Sequence, residues 1–366
     1  MTDRTADRAQ ARRISRGCAL LITQDGILYK SQGNQILRSD NEGVSWTLDC
    51  YIAFRSWKDV CATMTAGRRA LRWSVSALRV LADGSRVAVA KDGIYRAAPG
   101  AVRMQRVQSF GGASRPLGMG LDSRGRLCYG DYYSGRSSAG VDKHVYMSDD
   151  GGVHFHVVAT FASNDIRHVH NVLFDSYLNV WWLLVGDFDA QPGIGVLEPE
   201  TGKVEWVVRG CQQARTVGAI VTEDELLFGT DSELEPNLIM RLAKSSGCLS
   251  VVEPSPGPSL YACRMAGFNW ISTDVEPLQY TEQRLSAALL TSCDSGTFTV
   301  AGTWKKDRLD CVLFGFGTVV LPVVEGRGDG GPCMLSGHGL TGLDGVVVAG
   351  HDAVAVIGSS SELGIQ

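Results

Sequence analysis

The chain has 366 residues, 44% hydrophobic and 20% charged, with a formal net charge of −4 at pH 7. That length allows one to three domains around a sizeable core, and the charge balance gives none of the basic surface that nucleic acid or an anionic membrane selects. No run approaches 18 apolar residues, so no membrane span is expected. Ten cysteines lie at 18, 50, 61, 128, 211, 248, 263, 293, 311 and 333, with no C-x-x-C pair and no zinc-finger spacing. They read as reduced thiols, and the first 17 residues are polar with no apolar leader, so a cytoplasmic location is expected. Residues 1–16 are expected to be unstructured.

Glycine is abundant at 43 and proline modest at 11, among many short apolar runs, which favours an all-β chain rich in tight turns. The first unit has strand-like runs at 19–23, 27–30, 35–38 and 45–48. A second spans 76–107, with turns at Asp83-Gly84 and Asp92-Gly93. Further units span 117–161, 171–209, 217–252 and 260–304, and the stretch 311–357 holds enough short strands for one more. The period is thus roughly 40–55 residues, with about four strands in each repeat. Few windows carry helical periodicity, which disfavours parallel sheets built from βαβ crossovers.

Two segments share the formula S-x-[ND]-x-G-x-x-[WF]: Ser39-Asp40-Asn41-Glu42-Gly43-Val44-Ser45-Trp46 and Ser148-Asp149-Asp150-Gly151-Gly152-Val153-His154-Phe155. A Ser and an Asn or Asp fold back on their own backbone, a Gly supplies positive φ, and an aromatic anchors the outgoing strand. Each follows a strand-like run, 35–38 and 144–147. The formula resembles the Asp-box, or BNR repeat, of sialidase-like β-propellers. The resemblance and the four-strand period together imply an all-β, single β-propeller over 17–358 with a tail at 359–366. Seven four-stranded blades are expected, or six if the last stretch completes a neighbouring blade.

With the Asp-boxes placed between the third and fourth strands of a blade, the strand phase is set. Acidic residues then recur at the end of the second strand: Asp131, Asp187, Asp231 with Glu233, and Asp274 with Glu276, the aspartates spaced 56, 44 and 43 apart. Arginines recur ahead of the first strand, Arg115, Arg167, Arg215 and Arg264, at spacings of 52, 48 and 49. His168 and His170 follow Arg167, and strand alternation sets both on one side. Antiparallel geometry puts these sets on the face opposite the Asp-boxes. They are either the lining of a ligand mouth or ion pairs that clamp neighbouring blades.

In sialidases, arginines at the propeller mouth grip a sugar carboxylate through bidentate pairing, a Tyr–Glu pair supplies the nucleophile, and an Asp is the acid/base. The resemblance implies an acidic oligo- or polysaccharide as partner. Arg115, Arg167, Arg215, Arg264, Trp270 and His338 are then candidates to bind it. Asp131, Asp187, Asp231, Glu233, Asp274, Glu276 and Tyr132 are candidates for sialidase-like glycoside hydrolase chemistry. A second reading is a polysaccharide lyase of uronate polymers, in which His168 and His170 hold a divalent metal. A third is a non-catalytic glycan-binding or assembly scaffold. Trp181-Trp182 reads as core packing, one ring to each side of its sheet.

Overall fold

A computed structural model describes residues 13–54, 60, 65–70, 74–90, 92–110, 116–133, 140–188, 190–276 and 285–350. The chain divides into two compact units, one of Met1–Trp73 with Pro256–Gln366 and one of Ser74–Ser255. The first unit opens with β1 (Arg13–Arg16), β2 (Cys18–Ile22), β3 (Leu28–Gln32), β4 (Gln35–Ser39) and β5 (Thr47–Ile52). Strands β2 to β5 form an antiparallel meander.

Ser74–Ser255 holds four such meanders in succession. They are β6 (Val75–Val80), β7 (Arg86–Ala90), β8 (Gly93–Ala97) and β9 (Arg103–Ser109); β10 (Gly120–Leu121), β11 (Leu127–Gly130), β12 (Lys143–Ser148) and β13 (His156–Phe161); β14 (His168–Asp175), β15 (Val180–Gly186), β16 (Gly193–Glu198) and β17 (Lys203–Arg209); and β18 (Ala219–Val221), β19 (Glu225–Gly229), β20 (Leu238–Ala243) and β21 (Leu249–Pro254).

The first unit resumes with the meander β22 (Ser259–Met265), β23 (Phe268–Val275), β24 (Ser286–Ser292) and β25 (Thr299–Lys305). After β26 (Gly317–Val320) and the short β27 (Val323–Val324), which pairs in parallel with β2, come β28 (Cys333–His338) and β29 (Val346–Gly350). Strands β26, β28, β29 and β1 pair antiparallel in that order, so the chain's two ends share one sheet. Arg13–Arg16 therefore belong to the folded sheet and not to an unstructured N-terminal segment. Residues 1–12 of that expected segment, and the expected tail at 359–366, lie outside the described residues.

Alternation explains how these sheets stack. In β15, Trp181, Leu183 and Val185 enter a buried layer with Cys128, Val145 and Met147 of the preceding sheet. Trp182 and Leu184, between them, enter a layer with Leu226, Phe228 and Met240 of the following sheet. The Trp pair is thus core packing on both faces, as expected of a strand buried on two sides. The ladder of first and second strands shifts register within β2, β6, β14 and β22, which marks a bulge and adds twist. Among the described residues no helix is long and apolar enough to cross a membrane, and no cysteine is in a disulfide.

Both S-x-[ND]-x-G segments are side-chain-pinned turns joining third and fourth strands. Ser39 Oγ donates to Asn41 Oδ1 (2.9 Å) and accepts from Gly43 N–H (2.9 Å), while Asn41 Oδ1 also takes Ser45 N–H (3.0 Å). Ser148 Oγ donates to Asp150 Oδ1 (2.8 Å) and accepts from Gly152 N–H (2.8 Å), and the same Asp150 oxygen takes His154 N–H (2.9 Å). Phe155 then packs edge-on against Tyr129, 5.5 Å between ring centroids. A third turn of this kind joins β24 to β25: Ser292 donates to Asp294, whose Oδ1 accepts from Gly296 N–H at 2.8 Å. The formula passes over it because Phe298 stands one position early.

Candidate functional site

The candidate site lies in Ser74–Ser255, at the end of its sheets where second strands finish and first strands begin. Gly130-Asp131 closes β11, Gly186-Asp187 closes β15, and Asp231 follows β19 by two residues. The glycine ahead of Asp131 is required by packing: a Cβ on Gly130 would sit 2.2 Å from Val169 Cγ1 of the next sheet's first strand. Strand β14 begins at His168, directly after Arg167, and its bulge falls between Val169 and Asn171, at His170.

Asp187 is the centre. Its Oδ1 lies 3.0 Å from His170 Nε2 and 3.4 Å from Arg215 Nη2, and its Oδ2 lies 3.1 Å from His168 Nε2 and 3.4 Å from Arg167 Nη1. Asp187, His168, His170 and Arg215 are buried, whereas the Arg167 side chain is 30% exposed and lies over the Phe188 ring at 4.9 Å. Burial on its own would raise the Asp187 pKa, but the hydrogen bonds and charges of the two histidines outweigh it and hold the carboxyl far below its ordinary range. His168 is pushed down, first by burial, against the opposing pull of Asp187.

Arg215 links this centre to the next sheet. Its Nη2 lies 3.3 Å from Glu233 Oε1 and 3.6 Å from Asp231 Oδ2, and its Nη1 donates to the Asp187 carbonyl at 3.3 Å. Burial alone would lower its pKa, but the charges of Asp231, Asp187 and Glu233 raise it. A shell of amides and hydroxyls fixes the surrounding loops. Gln212 Nε2 donates to the Asp187 carbonyl (3.0 Å) and its Oε1 accepts from Ser232 Oγ (3.0 Å). Asn237 Oδ1 takes Ser232 N–H at 2.8 Å and the Thr230 hydroxyl at 2.9 Å.

On the other side, the Tyr132 ring stacks on His168, 4.3 Å between centroids. Asp131 Oδ2 accepts from His144 N–H (3.0 Å), and Lys143 lies over the Tyr133 ring at 5.2 Å. The Tyr133 pKa is raised by burial, then by the charge of Asp131 and a hydrogen bond to it.

The structure thus brings together Arg167, His168, His170, Asp187, Arg215, Asp231, Glu233 and Tyr132. It corrects several expectations. Arg215 is not free to grip a substrate carboxylate, because three protein carboxylates surround it. Both ring nitrogens of each histidine have protein partners: Nδ1 of His168 accepts from Tyr133 N–H (3.2 Å), Nδ1 of His170 meets the Thr216 carbonyl (2.9 Å), and both Nε2 atoms face Asp187. Among the described residues no group of three His, Cys, Asp or Glu side chains could hold a metal.

The remaining candidates belong to the other unit or lie outside the described residues, as Arg115 does. Arg264 stands opposite Asn269 at the hairpin end of the β22–β23 ladder, the end away from Asp274, and pairs with Asp329 at 2.8 Å. Trp270 is buried, with Nε1 donating to the Met265 carbonyl (3.0 Å), so no ring face is left for a sugar. Asp274 and His338 both align with Thr318, on β23, β28 and β26, and Glu276 follows β23. Gln212, Thr216, Ser232, Asn237 and Phe188 were not offered as site candidates from the sequence. The one signal for them is their nearness to the recurring Asp and Arg positions.

No protein-family model matches the chain, and no curated protein matches it. Solved structures do. One chain of a mitotic checkpoint complex aligns with a TM-score of 0.57 at 10% identity, over 96% of this chain and 94% of that one. A GH74 xyloglucanase from Xanthomonas campestris aligns with a TM-score of 0.52 at 14% identity, over 79% of this chain and 47% of that one. A prolyl endopeptidase aligns with a TM-score of 0.52 at 9% identity, over 90% of this chain and 46% of that one. This chain thus spans about half the length of the latter two. At such identities the likenesses establish the fold alone: the chain is a β-propeller.

Proposed function

We propose that this propeller, read as seven-bladed, recognises an acidic carbohydrate at the Asp187-centred site. Among the described residues, four four-stranded meanders in Ser74–Ser255 and three antiparallel groups of four strands in the other unit (β2–β5, β22–β25, and β26, β28, β29 with β1) support the blade count. The observation that carries the function is the rim of the site. Arg167 carries a partly exposed guanidinium over the Phe188 ring, and the same site holds the Tyr132 ring on His168 and the 35% exposed Glu233 side chain on Arg215. A guanidinium on a ring, next to an aromatic face and a carboxylate, suits a sugar acid: charge for its carboxylate, a flat surface for its C–H face, and acceptors for its hydroxyls. The xyloglucanase among the structural neighbours is consistent with a carbohydrate ligand.

Hydrolysis is a second reading. Asp231 and Glu233 share one guanidinium nitrogen, which keeps their carboxylates within roughly 7 Å, a spacing at which glycosidase pairs work. Against it, both carboxylates are engaged by the same buried guanidinium, an ion-pair arrangement that leaves neither one standing free as an acid or a nucleophile. We therefore favour binding over sialidase-like turnover. Arg167→Ala is expected to weaken binding of tetragalacturonate about 10- to 100-fold in calorimetry and to leave a neutral cello-oligosaccharide unaffected. Equal affinity of the variant and the parent for the acidic sugar would refute the reading. Release of reducing ends, lost in Glu233→Gln, would promote the hydrolytic one.

A further inference from the structure

We propose that the acidic carbohydrate of this site also carries a free amino group, with Arg167 taking its carboxylate and Glu233 its ammonium. That the ligand is a sugar acid rests on the reading above, whereas the demand for two opposite charges comes from the polar atoms the site leaves uncommitted. Arg167 meets the protein through Nη1, 3.4 Å from Asp187 Oδ2, and through the Phe188 ring beneath it. Among the described residues its Nε and Nη2 make no hydrogen bond. Glu233 meets Arg215 Nη2 through Oε1 at 3.3 Å, and among the described residues its Oε2 makes no hydrogen bond. The two side chains are 30% and 35% exposed, so one site offers solvent a guanidinium edge and a carboxylate oxygen.

Asp187 and Arg215 are committed inward by contrast. Asp187 faces two histidines and two guanidiniums, and Arg215 faces three carboxylates with Nη2 and the Asp187 carbonyl with Nη1. They act as the bridge between the two open groups. Contacts through them hold Arg167 Nη1 and Glu233 Oε1 within about 12 Å, so with a hydrogen bond of about 3 Å at each end a mono- or disaccharide reaches both.

A sugar hydroxyl also donates to a carboxylate, but the charge around Glu233 favours an ammonium. The single guanidinium of Arg215 is divided among Asp187, Asp231 and Glu233, and Glu233 is the most exposed of the three, at 35% against 5% and 11%. A neutral sugar leaves Arg167 unmatched. A polyuronate matches Arg167 but carries its own negative charge toward Glu233 and Asp231. An ammonium on the same ligand replaces that repulsion with attraction, so a sugar bearing both groups complements the two open ends together.

Titration calorimetry of the whole chain with two tetrasaccharides separates the parts. One alternates glucuronate with glucosamine whose amines are free, and the other is the same chain N-acetylated; at about pH 6 the free amines are charged. The parent should bind the free-amine form about tenfold more tightly, and Glu233→Gln should bind the two forms alike. A preference that persists in Glu233→Gln arises from the bulk of the acetyl group and overturns the proposal. Salt makes the same distinction in the parent, without any variant having to fold: at about 1 M a preference based on charge shrinks toward parity, and one based on bulk does not. Equal binding of the two forms by the parent overturns the amino group and leaves the acidic-carbohydrate reading standing. A glucosamine tetramer, with amines and no carboxylate, should bind more weakly than the mixed chain; equal binding overturns the need for a carboxylate, and the acidic-carbohydrate reading with it.

Discussion

At the scale of residues, the Asp187 centre is a buried charge network in which each member depends on the others. Replacing Asp187 by Asn keeps the shape and removes the anion that Arg167, His168, His170 and Arg215 share. Breaking a buried pair from one side costs about 3–5 kcal/mol. The sign with pH follows from the depressed carboxyl. Its stabilisation is complete above the unfolded carboxylate value of about 4 and is lost as pH falls below it. Urea unfolding from neutral pH down to about pH 3 should therefore show a shallower loss of stability for Asp187→Asn than for the parent. Equal slopes would mean that Asp187 is not the group responsible. The sequence made Asp187 legible because Gly-Asp recurs where a second strand ends. It misled at Arg264, whose spacing of 49 from Arg215 fits the arginine series. Strand β22 already begins at Ser259, so Arg264 falls at the strand's far end, beside the hairpin at Ala266-Gly267. Spacing alone does not report where along a strand a residue sits.

At the scale of elements, the S-x-[ND]-x-G turns were legible because their hydrogen bonds are local: each side chain reaches amides only two to four positions on. The loops around Arg215 were not, because Gln212, Ser232 and Asn237 bond across turns that carry no periodic signal. The local turns make a separate prediction. Burial pushes Asp150 up, but bonds from His154, Ser148 and Val153 outweigh it and bring it down to about 2. Asp150→Ala should cost about 1 kcal/mol, as for other side-chain-to-backbone caps. The Asp150 contribution is present above the unfolded carboxylate value and fades as pH falls through about 2. Hydrogen exchange is the sensitive check: amides of Gly152, Val153 and His154 should lose protection while those of β12 keep theirs. Unchanged protection at these amides would show that glycine and strand geometry alone hold the turn.

At the scale of the whole molecule, the joining of the two chain ends in one sheet is the consequential feature. Arg13 to Arg16 pair with Ala349 to Val346 in antiparallel register, and Gly17 N–H reaches the Gly345 carbonyl at 2.9 Å. The first pinned turn rests on the same place, since a Cβ on Gly43 would meet Ala349 Cβ at 2.9 Å and Arg13 Cβ at 3.7 Å. Without β1, strand β29 would become an open edge whose Val347, Val348 and Ala349 are otherwise buried. An apolar open edge is a template for pairing with other chains. The last sheet would also be held from the C-terminal side alone, so local opening there should become easier. A chain beginning at Gly17 is therefore expected to melt several degrees lower and to form oligomers in size-exclusion chromatography. A peptide of residues 10–18 added in excess should restore both properties, because it binds only the folded chain and stabilises it by mass action. Rescue must depend on strand pairing: the same peptide with Ser15→Pro lacks a ladder donor and should fail. A truncated chain that stays monomeric and melts with the parent would show that β1 decorates the sheet without closing it.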